Sequence, residues 1–193
     1  MPMLKGHEIV IGVSGGIAAY KSAALVSLLV QQGAQVTAVL TRNAKRFIGA
    51  ATFAALTGRP VATQSFDPGR YPLGAHIELA AQADLVIVAP ATADFLAKAA
   101  AGMADDLLTT LYLCAQSPVL VAPAMNSAMW AKPAVQRNVQ QIAADGVQVV
   151  QPGTGWLSCR QQGAGRMAEP EEIMTLIRDL LANAPRKEPG KSF

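Results

Sequence analysis

The sequence predicts a doubly wound α/β fold, a single domain built on an open parallel β-sheet with helices on both faces. Three observations lead there. Apolar runs of strand length alternate with helix-length segments along the 193 residues. These runs are continuous in Val, Ile and Leu rather than alternating with polar residues, as expected for strands buried on both faces. Strand–helix–strand order then calls for right-handed crossovers between parallel strands.

The elements follow in order. "HEIVIGV" is the first strand, and a helix runs from Ile17 to about Gln32, where Gly33 ends it. "AQVTAVL" is the second strand, followed by short helices between Ala44 and Leu56 and a looser stretch, "FDPGRYPLGAH". "HIELAAQA" is helix-like and leads into the strand "ADLVIVAP". "TADFLAKAAAGMADDLLTTLYLCA" reads as helical with a break near Gly102. "SPVLVAP" and "GVQVVQP" are further strands, separated by a helix through "PAVQRNVQQIAADG", and a last helix runs from Glu171 to about Ala184. "GTGWLSCRQQGAGRMAEP" is long for a loop inside a compact domain, which suggests a functional or mobile segment. The expected domain is residues 1–184, with 185–193, ending "RKEPGKSF", as a tail or the start of a linker.

Composition narrows the function classes. Hydrophobic residues make up 51% and charged residues 15%, so the surface is short of charge and a symmetric homo-oligomer is expected. A net charge of +3, without a basic stripe and interleaved aromatics, argues against nucleic acid. No apolar run reaches membrane-spanning length, and no signal-peptide layout is present. Cys114 and Cys159 have neither metal-ligand spacing nor a disulfide framework, so a cytoplasmic, metal-free protein is the expectation.

Ligands of open parallel sheets sit beyond the carboxyl ends of the strands. Those ends are Ser14-Gly15-Gly16, Thr41-Arg42, Pro90-Ala91-Thr92 and Pro123-Ala124-Met125-Asn126, mostly small, hydroxylated or amide residues. In "GVSGGIAAYKS" the glycines admit an anion to a helix N-terminus, although a tight turn alone would also use them. A Walker A loop is excluded because Tyr20, not Gly, precedes Lys21-Ser22. A dinucleotide fingerprint is excluded because the second strand ends in Thr41 and Arg42 rather than an acid. A mononucleotide phosphate fits better. Thr92 reads as a helix N-cap or as part of a ligand edge.

Among the titratable residues, His76 opens a helix after a Pro/Gly loop and is a candidate base, while His7 reads as a surface residue. Cys159 lies between Ser158 and Arg160 with Arg166 nearby, where cations would favour thiolate; Cys114 reads as an inert apolar-helix residue. Asp105 and Asp106 could pair for acid–base work, but a helix start after Gly102 explains them more simply.

"GVSGGIAAYK", "APATADFLAKAAAGMADDLL", "PAMNSAMW" and "CRQQGAGRM" occur in the order found in the flavin-containing cysteine decarboxylases, and the resemblance spans about residues 7 to 182. It implies a Rossmann-like, flavodoxin-like sheet, FMN as cofactor, and a homo-oligomer, either a trimer or a dodecamer of trimers, with FMN at a subunit interface. It places Ser14, Gly15, Gly16, Ile17 and Thr41 at the FMN phosphate, and Ala91, Thr92, Ala93, Asp94 and Ala124 along the flavin. His76, Asn126 and Cys159 match the catalytic histidine, the asparagine that meets the substrate carboxylate and the cysteine that protonates an intermediate. Asn126, Met129, Arg166 and Met167 would contact substrate, with Met125 and Trp130 completing a dry apolar shelf.

The implied reaction is decarboxylation of the small molecule 4'-phosphopantothenoylcysteine to 4'-phosphopantetheine in coenzyme A synthesis. Its thiol carbon is oxidised to a thioaldehyde, carbon dioxide leaves, and the aminoenethiol is reduced again. A peptidyl-cysteine decarboxylase and a non-catalytic flavin-fold regulatory subunit are the alternatives. Asp94 stands where the family usually has Asn, and Ser158-Cys159-Arg160 where it commonly has Ala-Cys-Gly. In bacteria the family domain is often fused to a phosphopantothenate–cysteine ligase, a half absent from this chain; both a piece of such a protein and a standalone enzyme remain open.

Overall fold

The computed structural model describes residues 3–183. Five parallel strands form the main sheet: β1 (Glu8–Val13), β2 (Gln35–Leu40), β3 (Leu85–Ala91), β4 (Val119–Pro123) and β5 (Gln148–Val149), in the order β2-β1-β3-β4-β5. This is the flavodoxin-like order, with the reversal of winding between β1 and β3. The tail expected at 185–193 lies outside the described residues.

Successive side chains of a strand point to opposite faces, and here both faces are covered. Ile9, Ile11 and Val13 of β1 enter one core with Leu25 and Leu29 of α1 (Ala19–Gln31), Phe53 of α2 (Ala50–Thr57), and Ile173 and Ile177 of α8 (Pro170–Asn183). Val10 of β1 and Val86 and Val88 of β3 enter the other. Their partners there are Leu79 of α3 (Ala75–Gln82), Leu96 of α4 (Ala93–Ala100), Leu108 and Leu111 of α5 (Leu107–Cys114), and Ile142 of α7 (Pro133–Ala144). Each fully buried Leu or Ile contributes about 1.5–3 kcal/mol. The unbroken apolar runs of the strands therefore reflect two cores sharing one sheet.

The expected break near Gly102 is present. α4 ends at Ala100, Gly102 takes a left-handed φ of 66°, and α5 starts at Leu107. Asp106 caps α5 in a reciprocal box with Thr109: its Oδ1 accepts from the Thr109 N–H at 2.9 Å, while Thr109 Oγ1 accepts from the Asp106 N–H at 3.1 Å. The helix-start reading therefore describes Asp106, whereas Asp105 pairs with Lys98 of α4 at 3.0 Å.

Three features differ from the sequence-based expectation. The first helix begins at Ala19 rather than Ile17, and the two residues before it form a turn in which the Ala19 N–H donates to the Gly16 carbonyl at 3.0 Å. A four-residue helix α6 (Ser127–Trp130) follows β4, too short to leave a periodic pattern. The long glycine-rich stretch forms an antiparallel hairpin of β6 (Gly153–Trp156) and β7 (Gln162–Arg166), separate from the main sheet. Its sequence lacks the Val/Ile/Thr density of a strand. Its glycines serve close approach to the rest of the fold. A Cβ on Gly165 (φ 115°) would strike the Met125 carbonyl, and one on Gly163 would lie 2.9 Å from Ser127 Cβ.

Candidate functional site

A cavity of 1410 Å³ opens at the carboxyl ends of the strands, larger than the roughly 300–1,000 Å³ of most small-molecule pockets. Its floor is the winding reversal between β1 and β3. There Ser14, 4% exposed, donates from Oγ to the Pro90 carbonyl at 2.7 Å, and the same Oγ accepts from the Thr92 N–H at 3.0 Å. Thr92 in turn caps α4 by accepting from the Phe95 N–H at 3.4 Å. The N-cap reading of Thr92 is the observed one, and the same residue lines the cavity.

The turn between β1 and α1 presents an anion cradle. The backbone N–H groups of Gly15, Gly16, Ile17 and Ala18 have no acceptor among the described residues. They precede the positive end of a 13-residue helix. The two glycines have different reasons. A Cβ on Gly15 would collide with Asn43, whereas one on Gly16 would meet only Thr92 Cγ2, at 3.7 Å. Gly15 is required by packing, and Gly16 leaves space that a side chain would fill. Thr41 stands opposite, its Oγ1 accepting from the Ala44 N–H at 3.1 Å with its hydroxyl hydrogen still to donate. A phosphate monoester fits this donor set.

The loop after β4 forms a second wall. Asn126 Oδ1 accepts from the Ala128 N–H at 2.8 Å and caps α6, which orients the amide. Its Nδ2 makes no hydrogen bond among the described residues, so the site keeps a neutral two-proton donor. Met125 and Met129 share this wall, and Met129 is 46% exposed. Trp130 is absent from the cavity lining and packs, half-buried, against the core on that face of the sheet.

The hairpin closes the third side. Met125 N–H donates to the Gly165 carbonyl at 2.9 Å, tying β7 to the Asn126 loop. At the tip, Leu157 N–H donates to Gln161 and Arg160 N–H donates to Leu157, each at 2.9 Å, with Arg160 at a φ of 63°. Arg160 thus occupies a left-handed position that glycine would fill without strain. Cys159 is exposed on this tip and lines the cavity.

Lys21 went unrecognised as a site residue from sequence. It is 4% exposed, and its Nζ donates to the Met167 carbonyl at 2.7 Å and to Glu169 Oε1 at 2.8 Å. Arg166 Nη2 approaches the same Glu169 oxygen at 3.0 Å. The hydrogen bond from Lys21 is the main cause holding the Glu169 carboxyl below its ordinary 4.5. This cluster ties α1 to the end of the hairpin. A lone Lys amid the small residues of "AAYKSAAL" was the available signal. On the α4 side, Lys98 bridges Asp94 at 3.3 Å and Asp105 at 3.0 Å, and the Asp105 hydrogen bond raises the lysine while lowering the acid.

Of the expected site residues, Ser14, Gly15, Gly16, Ile17, Thr41, Thr92, Ala93, Asp94, Ala124, Asn126, Met129, Cys159 and Arg166 line one cavity. Ala91 is wholly buried, and its carbonyl accepts from the Ala124 N–H at 3.1 Å. Met167 reaches the cavity wall, but its side chain, 1% exposed, sits in the core. His76 stands apart from the cavity in the single chain. It lies in the first turn of α3 with Nδ1 buried and without a partner among the described residues.

The chain matches the Flavoprotein family over residues 2–182. The coenzyme A biosynthesis bifunctional protein CoaBC of Mycobacterium tuberculosis is 51% identical over 174 residues, which are 90% of this chain and 41% of that protein. The chain therefore spans less than half the length of this curated relative. Among solved structures, the FMN-dependent cysteine decarboxylase SpaF is 34% identical with a TM-score of 0.78, covering 92% of this chain and 96% of that one. A cysteine-to-serine mutant of PPC decarboxylase complexed with pantothenoylaminoethenethiol is 29% identical with a TM-score of 0.82, covering 92% and 99%. With a family match over nearly its whole length and a 51% identical relative covering 90% of it, the chain belongs to the Flavoprotein family.

Proposed function

We propose that this chain binds FMN and decarboxylates 4'-phosphopantothenoylcysteine to 4'-phosphopantetheine in coenzyme A synthesis. The names of its relatives support the reading. The observation that carries it is one cavity holding four free N–H groups, the free amide hydrogens of Asn126 and the exposed thiol of Cys159.

In this reading Gly15, Gly16 and Ile17, with Thr41, hold the FMN phosphate above the floor that Ser14 fixes through Pro90 and Thr92, and Thr92, Ala93, Asp94 and Ala124 line the rest of the cofactor, with Ala91 supporting Ala124 from behind. When bound, FMN would supply a reversible two-electron sink for the thiol-bearing carbon, which makes the neighbouring carbon–carbon bond breakable. Asn126 holds the substrate carboxylate by hydrogen bonds alone. A cation there would stabilise the charge that must be lost. Met125 and Met129 exclude water, and the Cys159 thiol donates a proton to the substrate in the closing reduction. Asp94, in place of the usual Asn, faces Lys98 at 3.3 Å.

His76 acts as the base from a neighbouring subunit in a homo-oligomer, a trimer or a dodecamer of trimers. Phe66, Leu73 and Ile77, on either side of His76 in the chain, are 86%, 66% and 39% exposed, and the buried His76 Nδ1 lacks a partner among the described residues. Light scattering that returned a monomer with full activity would remove this role. Reliance on a free Cys159 thiol supports a reducing, cytoplasmic setting, and no helix among the described residues is long and apolar enough to cross a membrane. A ligase activity on the same polypeptide belongs to the proposal only through the bifunctional relatives.

The direct test is carbon dioxide release from 4'-phosphopantothenoylcysteine by FMN-loaded protein. Turnover is expected. Its absence, with release from peptides ending in cysteine, would transfer the chain to the peptide-modifying branch.

A further inference from the structure

We propose that Arg42, Lys45 and Arg46 form a subsite for the phosphate monoester of the substrate, separate from the N–H groups that take the cofactor phosphate. The inference rests on the decarboxylase reading and adds to it a determinant of substrate specificity.

The charge ledger of the cavity points there. Six lysines and arginines line it. Lys21 and Arg166 meet Glu169, and Lys98 meets Asp94 and Asp105. Asp106 is committed to capping α5. The remaining cations, Arg42, Lys45 and Arg46, have no carboxylate partner among the described residues. They are exposed and crowd into five positions at the end of β2 and the single 3-10 turn Ala44–Arg46. Unpaired like charges concentrated on one rim repel one another, a cost relieved when a polyanion binds.

The cradle at Gly15–Ala18 already offers four neutral donors and a helix end to one phosphate. Three further cations exceed what that phosphate needs. The substrate carries two anionic ends, a carboxylate and a phosphate. The carboxylate end has to avoid cations, because an ion pair would oppose its loss, and Asn126 provides a neutral donor for it. The phosphate end undergoes no chemistry, so an ion pair there adds affinity without slowing the reaction. At 1410 Å³ the cavity has room for cofactor and substrate together. Peptides ending in cysteine lack the phosphate, so the same three residues would separate the two substrate classes.

The test compares wild type with the triple variant Arg42→Gln/Lys45→Gln/Arg46→Gln, and with Arg42→Lys/Arg46→Lys, which keeps the charge. Wild type should prefer 4'-phosphopantothenoylcysteine to pantothenoylcysteine in kcat/KM. The triple variant should lose at least tenfold of that preference through KM, and the double-lysine variant should keep most of it. The wild-type preference should also fall as salt rises. Flavin fluorescence titration should show FMN affinity changed less than twofold. A large loss of FMN affinity would overturn the proposal and give these cations to the cofactor; an equal loss on both substrates would also overturn it. Calorimetry with 4'-phosphopantetheine and pantetheine on FMN-loaded protein reads the subsite independently of turnover. If wild type turns over neither substrate yet prefers the phosphorylated ligand, and the triple variant does not, the decarboxylase reading fails and the subsite stands. Equal binding of the two ligands by wild type overturns the subsite whatever the activity.

Discussion

Ser14 Oγ lies 3.2 Å from Thr92 Oγ1, joining two strand-end turns that are 78 residues apart in the chain. Because Ser14 also bonds the Pro90 carbonyl and the Thr92 N–H, the β1 and β3 exits are held as one rigid floor. The floor of the cavity is thus fixed by hydrogen bonds within the chain itself.

The two glycines on that floor should respond differently to the same added methyl group. Gly15→Ala drives a Cβ into Asn43 and should lower the melting temperature of cofactor-free protein. Gly16→Ala meets only Thr92 Cγ2 at 3.7 Å, so the melting temperature should stay within a degree or two. FMN affinity should nonetheless fall about tenfold or more, read by flavin fluorescence. Unchanged affinity would mean that the cradle does not face the cofactor.

Asn126→Asp separates capping from substrate binding. Asp caps a helix as well as Asn does, so α6 and the melting temperature should survive. The substitution replaces a donor with a negative charge facing the substrate carboxylate. Turnover should fall at least a hundredfold; near-normal turnover would leave Asn126 only its structural role.

Cys159→Ser keeps the size of an exposed hairpin-tip side chain and removes its thiol. Carbon dioxide release should continue while the oxidised enethiol accumulates in place of the saturated thiol. Unchanged formation of the saturated thiol would take the final proton transfer away from Cys159.

Gly165→Ala tests the seat of the hairpin. At a φ of 115° an alanine is strained, and its Cβ would overlap the Met125 carbonyl. A cost of about 2 kcal/mol or more is expected, with loss of the hydrogen bond that joins the hairpin to the Asn126 loop. Faster amide exchange at Met125 would report that release, and wild-type protection would refute it.

Acid should loosen the same region. Glu169 is held below its ordinary 4.5 chiefly by the hydrogen bond from Lys21. A lowered carboxyl stabilises the fold fully above its unfolded-state value and ceases to do so as pH falls through its folded value. Stability of wild type relative to Glu169→Gln should therefore be greatest above about pH 5 and shrink as pH drops below 4.5. A difference that stayed constant across that range would exclude this linkage.

The fold was legible because its signals are local. Continuous apolar runs at Ile9–Val13 and Leu85–Ala89, helix-length stretches between them, and Gly33 and Gly102 as punctuation need only neighbouring residues to be read. The strand-end rule then located the cavity, since parallel strands bring their carboxyl ends to one edge. The hairpin escaped notice for the converse reason: its glycines answer to Met125 and Ser127, which pack against them from another part of the chain. Lys21 was missed likewise, because its partners lie near residue 168.

What the sequence determined by itself was the doubly wound sheet and the family to which its motifs belong, both consequences of short-range pattern. The tertiary structure decided which groups remain free to act. Trp130 packs half-buried against the core rather than lining the cavity, Met167 is almost wholly buried, and Asn126 committed its oxygen while sparing its amide hydrogens. A hydrogen bond or an ion pair is satisfied by whatever the fold brings within about 3 Å, and that depends on distance in space rather than along the chain.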